Sequence, residues 1–362
     1  MKQSHQTVAV GLSGGVDSSV TAWLLKERGY NVIGLTMRIY DPSLGKLPPL
    51  KDACFGPNED KDIEAAFRVC KLLGIPFHCI DLREEYQRAV LDYFRQEYLC
   101  GRTPNPCVVC NRRIKFESLV HKALSTGISF DYFATGHYAR VKKLRERFVL
   151  MRPVDTQKDQ TYFLYSLSQN QLSRTLFPLG EYTKKGVREL ARSAGLPTAG
   201  RPESQDFLSS GNYSVLFRKN HIAPGDIIDE SGKVVGRHKG IIFYTIGQRK
   251  GLGISAPAPL YVLRVDPQNN RIIVGTKDQL YKRKVIVSEL NYIAISSLSE
   301  PIEVTAKIRY KHKEAPAKLY PYGMAKALLI FNSPQRAVTP GQSAVFYSGD
   351  YVVGGGIIDE AY

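Results

Sequence analysis

The chain has 362 residues, 43% of them hydrophobic, and carries 50 Lys+Arg against 34 Asp+Glu, a net charge of +16 with a pI near 9.5. That length allows two or three domains, and no apolar run approaches the ~20 residues of a membrane-spanning helix. The positive excess points to a polyanionic partner, most often nucleic acid.

The first residues, "MKQSHQTVAVGLSGG", lack a charged head followed by an apolar core, so no signal peptide is read and a cytoplasmic protein without membrane attachment is expected. "TVAVGL" reads as a buried strand and "DSSVTAWLLKERG" as a helix ending at Gly29; "YNVIGLTMRIY" is the next strand. A charged, proline-rich segment, "DPSLGKLPPLKDACFGPNEDKD", follows. Then come the helix "IEAAFRVCKLLG", the strand "IPFHCIDL" and the helix "REEYQRAVLDYFRQEYL", where Leu91, Tyr93, Phe94 and Tyr98 recur near helical spacing. After a loop with two cysteines, "IKFESLVHKALSTG" is helical and "FDYFATGHYARV" a strand. Alternating strands and helices imply a parallel sheet with helices on both faces.

From Asp159 to about Gly195 the reading is helical, over "DQTYFLYSLS", "QNQLSRTLF" and "TKKGVRELARSAG". Beyond Gly211 the texture becomes short β-rich runs bounded by Gly, Pro and Asn. The expected division is an α/β domain over 1–210, a small central β-rich domain over 211–278 and a C-terminal β-barrel over 279–362.

"AVGLSGGVDSSV" ends an apolar strand in a glycine turn that opens a helix. Glycines let a backbone approach phosphate closely, and the helix offers unpaired N–H groups and a positive dipole end. Ser13, Ser18 and Ser19 add hydroxyls. Asp17 is out of place beside phosphate unless it holds Mg²⁺ or orients the loop. The pattern is neither Gly-x-x-x-x-Gly-Lys-Ser/Thr nor Gly-x-Gly-x-x-Gly.

The chain has six cysteines, Cys54, Cys70, Cys79, Cys100, Cys107 and Cys110. In a reducing compartment, paired cysteines mean metal or sulfur chemistry more often than a disulfide scaffold. "RTPNPCVVCNRRIKF" holds Cys107 and Cys110 at chelate spacing, beside Arg112, Arg113 and Lys115, which would contact phosphate and favour thiolates. Cys54 lies in "KDACFGPNED", in a loop expected at the same sheet edge. Cys100 is a rival third thiol, while Cys70 and Cys79 read as core positions.

The Ser-Gly-Gly-x-Asp-Ser turn resembles the PP-loop of ATP pyrophosphatases, which transfer AMP to an oxygen. That resemblance implies ATP and Mg²⁺ at Gly11, Leu12, Ser13, Gly14, Gly15, Val16, Asp17 and Ser18, with Met37 and Gly136 near the adenine. Taken together, "SGGVDSSV", "GRTPNPCVVCNRRIKF", "ATGHYAR", "KDQTYFLY", "YTIGQRKGLGI" and "SPQRAVTPGQSAVFY" resemble the tRNA-specific 2-thiouridylases over about residues 7–358. The resemblance implies ATP-dependent replacement of the C2 oxygen of a wobble uridine by sulfur, through an adenylated intermediate. It implies tRNA contacts at Asn105, Pro106, Cys107, His137, Lys158, Asp159, Gln160, Arg309, Tyr310 and Gln342, with the target base leaving its stack.

The chain departs from the pattern of the best-studied branch of that family. That branch has Asp-x-x-Cys where this chain has Cys107, and a second cysteine where "ESQDFLSS" has Leu208. The relay between that cysteine and Cys110 therefore lacks a member here. The expectation drawn from this is that Cys54, Cys107 and Cys110 hold a [4Fe-4S] cluster whose open iron carries sulfide. The alternatives are a Cys107–Cys110 persulfide or disulfide relay, a zinc site, or a tRNA-binding homologue without sulfur transfer. The sulfur would come from a donor protein or inorganic sulfide; Cys107, Cys110 and Asp17 are the expected catalytic residues.

Overall fold

The computed structural model describes residues 6–44, 54–202, 207, 213–217 and 222–362. Of "ESQDFLSS" only Phe207 is described; Leu208 and the expected boundary at Gly211 lie outside the described residues, as do Lys51, Asp52 and Ala53. The helices are α1 (Val16–Glu27), α2 (Glu59–Leu73), α3 (Arg83–Tyr86), α4 (Tyr93–Leu99), α5 (Pro106–Val109), α6 (Leu119–Ser125), α7 (Gln169–Ser173) and α8 (Lys184–Ser193). The first seven strands are β1 (Thr7–Gly11), β2 (Asn31–Arg38), β3 (Phe77–Asp81), β4 (Tyr132–Thr135), β5 (Arg140–Leu144), β6 (Arg147–Met151) and β7 (Thr175–Leu176). Two compact units result, one made of Met1–Val90, Cys107–Gly211 and Asp350–Val352, the other of Leu91–Pro106, Asn212–Gly349 and Val353–Tyr362.

In the first unit Val8, Ala9 and Val10 are wholly buried, because β1 has a strand on each side and helices over its faces. The sheet order is β3-β2-β1-β4-β7 and every pairing is parallel. Such a sheet, buried on both faces, explains the continuous apolar run. Chain order reverses at β1, and Gly11 is paired with Leu35 on one side and Thr135 on the other. The carboxyl ends of β1, β2 and β4 therefore lie level at a switch point, where open α/β sheets bind ligands. Val20, Leu25, Val69, Leu73, Ala134 and Val187 share the core cluster that seats α1, α2 and α8 on the sheet.

Several expected elements differ. Helical residues run over 83–99 as expected, but with a π-type stretch, Gln87–Asp92, between α3 and α4. A second π-type stretch, Cys110–Ser118, follows α5 and leads into α6; such widened turns gather at functional sites. "DQTYFLYSLS" has only a 3₁₀ turn at Thr161–Phe163, and "QNQLSRTLF" holds α7 followed by β7. Cys70 is buried as expected, but Cys79 is exposed. It stands on edge strand β3, where alternation turns it away from the buried Ile80.

In the second unit β8 (Gly225–Ile228), β9 (Val234–His238), β10 (Tyr261–Asp266) and β11 (Arg271–Gly275) form a small sheet in the order β10-β11-β8-β9. Then β12 (Tyr281–Tyr292), β13 (Ile302–Lys307), β14 (Ala315–Tyr322), β15 (Lys326–Arg336), β16 (Ser343–Ser348) and β17 (Tyr351–Ala361) follow. Their order is β12-β15-β14-β13-β16-β17, and β12 also pairs with β17, closing a six-stranded barrel. Closure leaves those strands no open edge. Val285, Leu319, Leu329, Phe331 and Phe346 fill the interior. The fold is an α/β domain with a parallel sheet, then a small β-rich domain, then a β-barrel.

Candidate active site

Gly15 precedes α1 in extended conformation and makes no side-chain cap. The first-turn N–H groups of a twelve-residue helix are thus open to an anion. Around them the loop is tightly braced. Ser18 Oγ accepts from Ser13 N at 3.2 Å and donates to Gly15 O at 3.2 Å, and Ser19 Oγ donates to Gly15 O at 2.8 Å. Thr36 Oγ1 donates to Leu12 O at 2.8 Å, tying the turn to β2. Gly14 has φ +71°, and a Cβ there would stand 2.5 Å from Asp62 O. Gly136, just after β4, backs onto the same helix start: a Cβ would lie 2.7 Å from Ser18 N. Met37 is half-buried near the end of β2.

Asp17 is held rather than free. Lys184 Nζ donates to Asp17 Oδ1 and Oδ2, both at 2.7 Å, and Tyr138 Oη donates to Oδ1 at 3.0 Å. Lys184 is the first residue of α8, where a cation opposes the helix dipole. Arg201 clamps the other side, donating from Nη1 to Gly14 O at 2.6 Å and from Nη2 to Asp62 Oδ1 at 2.7 Å. Burial raises the Asp62 carboxyl, and Arg201 opposes that. Lys184, Tyr138 and Arg201 went unnoticed in sequence. A lysine heading an amphipathic helix, against the dipole, was the available signal for the first.

All six cysteines are present as thiols. Cys54 is exposed, Cys107 half-buried and Cys110 buried. Tyr86, ending α3, is 1% exposed and stacks on Phe55 with ring centroids 5.2 Å apart. Phe55 follows Cys54 directly, so the stack carries that turn to α3, which packs on the Cys110–Ser118 stretch. Burial pushes the Tyr86 phenol well above its ordinary value, and the charges of Cys110, Cys54 and Cys107 add to that. Yet among the described residues no three His, Cys, Asp or Glu groups are arranged to hold a metal ion. Burial also pushes the Cys110 thiol up to about 11, against the pull of Lys115. The ligand set expected for an iron–sulfur cluster is not assembled by these side chains as they stand.

The residues expected at tRNA are scattered in character. Asn105 and Pro106 are half-buried beside Cys107. His137 Nδ1 lies 2.7 Å from Thr135 Oγ1 and packs between Phe116 and Phe177; burial drives its pKa well below 6.5, so the ring is neutral. Asp159 is buried: it accepts from Thr161 N and Oγ1 through Oδ1 and pairs with Arg152 at 3.0 Å through Oδ2. Gln160 Oε1 accepts from Tyr138 N at 2.8 Å. Asp159 braces the fold from within, while Gln160 and Lys158 are half-buried. Arg309 Nη2 donates to Ile246 O, Ala337 O and Thr339 Oγ1, Tyr310 is half-buried, and Gln342 Nε2 donates to Thr103 O.

Comparison with known proteins adds the following. Residues 6–209 match the family described as tRNA methyl transferase HUP domain, 214–276 the tRNA methyl transferase PRC-barrel domain, and 282–358 the aminomethyltransferase beta-barrel domain. The tRNA-specific 2-thiouridylase MnmA of Acetivibrio thermocellus is 46% identical over 362 residues, 98% of this chain and 99% of its own. MnmA 1 of Caldanaerobacter subterraneus subsp. tengcongensis, also described as a tRNA-specific 2-thiouridylase, is 50% identical over 363 residues, 98% of each chain. Among solved structures, a 4-thiouridine synthetase–RNA complex with bound ATP aligns with a TM-score of 0.37 and 18% identity, over 57% of this chain and 46% of that one.

Proposed function

This chain belongs to the family of tRNA-specific 2-thiouridylases, and on that premise we propose that it replaces the C2 oxygen of a tRNA uridine by sulfur at the expense of ATP. The observation that carries this reading is the uncapped start of α1, with Asp17 locked beside it by Lys184 and Tyr138. The triphosphate would rest on the N–H groups of Gly14 to Ser18. A Mg²⁺ ion would use a lone pair on Asp17 Oδ2, which among the described residues accepts from Lys184; bound there, it would neutralise charge on the departing pyrophosphate. Gly136 and Met37 would line the adenine. The uridine O2 attacks the α-phosphate, pyrophosphate leaves, and C2 now bears AMP as leaving group.

Sulfur delivery is assigned to Cys107 and Cys110, in the relay form. Cys107, the more exposed of the pair, receives a persulfide from a persulfide-bearing donor protein. The terminal sulfur attacks C2 and AMP departs, leaving C2 joined through two sulfurs to Cys107. Cys110, as thiolate, attacks Cys107 Sγ, and the S–S electron pair leaves with the base-bound sulfur. The products are the thione and a Cys107–Cys110 disulfide, which a dithiol reductant reopens. The alternative, a cluster on the three cysteines, is an outcome of the test below.

Residues 1–210 are assigned as the catalytic domain, 211–278 as the central domain and 279–362 as the tRNA-binding barrel. Lys158 and the basic Arg112, Arg113 and Lys115 would meet phosphates. Protein prepared without oxygen is incubated with tRNA, ATP and a persulfide donor, and pyrophosphate, AMP and 2-thiouridine are counted with bound iron. Equal yields of the three are expected. Orthophosphate in place of pyrophosphate, or tRNA binding with no thiolated product, sinks the enzyme reading. Activity that tracks iron content sinks the relay.

A further inference from the structure

The widened stretch Cys110–Ser118 begins at the second cysteine of the pair. A π turn joins the N–H of each residue to the carbonyl five back, one further than in an α-helix. One extra residue in a turn rotates what precedes it by roughly 100° about the axis. Leu119 and Ala123 are buried and seat α6 at the far end. The register of the stretch therefore decides which way Cys110 faces.

Side-chain donors hold that register, all within the first unit. Gln171 Nε2, from the first turn of α7, donates to Arg112 O at 3.3 Å and to Phe116 O at 3.2 Å. In an α turn Arg112 O would accept from Phe116 N, so the Gln171 amide supplies a donor where that pairing is given up. Ser118 Oγ donates to Arg113 O at 2.7 Å, spanning five residues as the π turn does. Asn111, 2% exposed, donates from Nδ2 to Phe163 O at 3.1 Å. Gln171 is fixed on its own side too. Its Oε1 accepts from Ser168 N at 2.9 Å, and its backbone N–H donates to Ser168 Oγ at 3.2 Å, the reciprocal cap of α7. Both hydrogens of the amide and its oxygen are thus committed.

We propose that Gln171 is a positioning residue for Cys110, holding the Cys110–Ser118 stretch in its widened register. The consequence for sulfur transfer rests on the proposed function, in which Cys110 must reach Cys107 Sγ; the consequence for the thiol does not.

The test compares native protein with Gln171→Glu, Gln171→Met and Ser168→Ala. Glutamate keeps the acceptor that caps α7 but has no hydrogen to give Arg112 O and Phe116 O. Methionine loses both bonds without adding a charge, which covers the case in which a carboxylate facing two carbonyls unfolds the stretch. Ser168→Ala weakens the cap alone. Three quantities are measured: the rate of Cys110 alkylation by iodoacetamide, read by mass spectrometry; the 2-thiouridine formed per pyrophosphate released; and KM for ATP. Thermal melts confirm that each variant is folded. In both Gln171 variants Cys110 should be alkylated faster by about threefold or more. Their yield of 2-thiouridine per pyrophosphate should fall by roughly tenfold, with KM for ATP within about twofold of native. Ser168→Ala should melt earlier and keep native Cys110 alkylation. Native Cys110 alkylation in either folded Gln171 variant overturns the inference, and so does an equal acceleration in Ser168→Ala. If native protein thiolates nothing, the functional reading fails, while the alkylation comparison still decides this one.

Discussion

Lys184 Nζ stands 2.7 Å from both carboxylate oxygens of Asp17, joining the head of α8 to the head of α1. The Lys184 side chain is 10% exposed and its ammonium lies 5.7 Å from the centre of the Tyr138 ring. Without it, a carboxylate would face the seat of a triphosphate uncompensated. Lys184→Met should therefore lower the rate of ATP–pyrophosphate exchange by roughly 10–100-fold, about 1.4–2.8 kcal/mol of transition-state stabilisation, and raise KM for ATP. Asp17→Ala should abolish thiolation. Neither should change tRNA affinity, measured by filter binding, by more than a small factor. Exchange at native rate in Lys184→Met would show the pair to be bracing only.

The net charge of +16 predicts tRNA binding through phosphates. A plot of log affinity against log salt should fall steeply and linearly, with a slope set by the number of phosphates neutralised. Lys158→Ala should reduce the magnitude of that slope by about one. Asp159→Ala should instead lower the melting temperature, because it removes the buried carboxylate that accepts from Arg152 and Thr161. A flat salt response would contradict phosphate-driven binding altogether.

The three thiols should separate by reactivity. Cys110, with its thiol pushed up to about 11, is ionised in roughly one molecule per thousand at pH 8, and the thiolate is the nucleophile. Iodoacetamide should label the exposed Cys54 and half-buried Cys107 first and Cys110 last. Under the relay, Cys54→Ala retains thiolation while Cys107→Ala and Cys110→Ala abolish it. Loss of activity in Cys54→Ala together with loss of bound iron would favour the cluster.

His137 supplies a pH signature. Burial holds its folded pKa well below 6.5, so the unfolded chain binds the proton more readily. The stability due to the neutral ring is complete above about pH 6.5 and is lost as pH falls from there toward the folded value. Melting temperature followed from pH 7.5 to 5 should drop more steeply in native protein than in His137→Gln. Parallel curves would mean that the ring titrates in contact with solvent.

Periodic elements were legible and convergent contacts were not. "TVAVGL" and "DSSVTAWLLKERG" announce β1 and α1 because burial on both faces and a glycine turn leave a direct mark on residue order. Thr175–Leu176 is too short to show a period, so β7 was lost within an expected helix. Cys79 looked like core because its neighbours are apolar, but alternation on an edge strand decides exposure. The site divides the same way. The phosphate turn is contiguous and readable. Lys184 reaches Asp17 across 167 positions, and Arg201 reaches Gly14 across 187, distances at which no local pattern exists. The thiol spacing is legible, whereas the burial of Cys110 is a property of packing.

The first unit includes three residues from near the far end of the chain. Arg152 N donates to Asp350 O at 2.9 Å, and Tyr351 pairs with Met151. During synthesis, β6 pairs at once with its hairpin mate β5, but its other edge stays open to a wrong strand until Tyr351 has been made. A nascent chain stopped before Asp350 would hold the phosphate turn and both cysteines of the pair, yet not a finished unit.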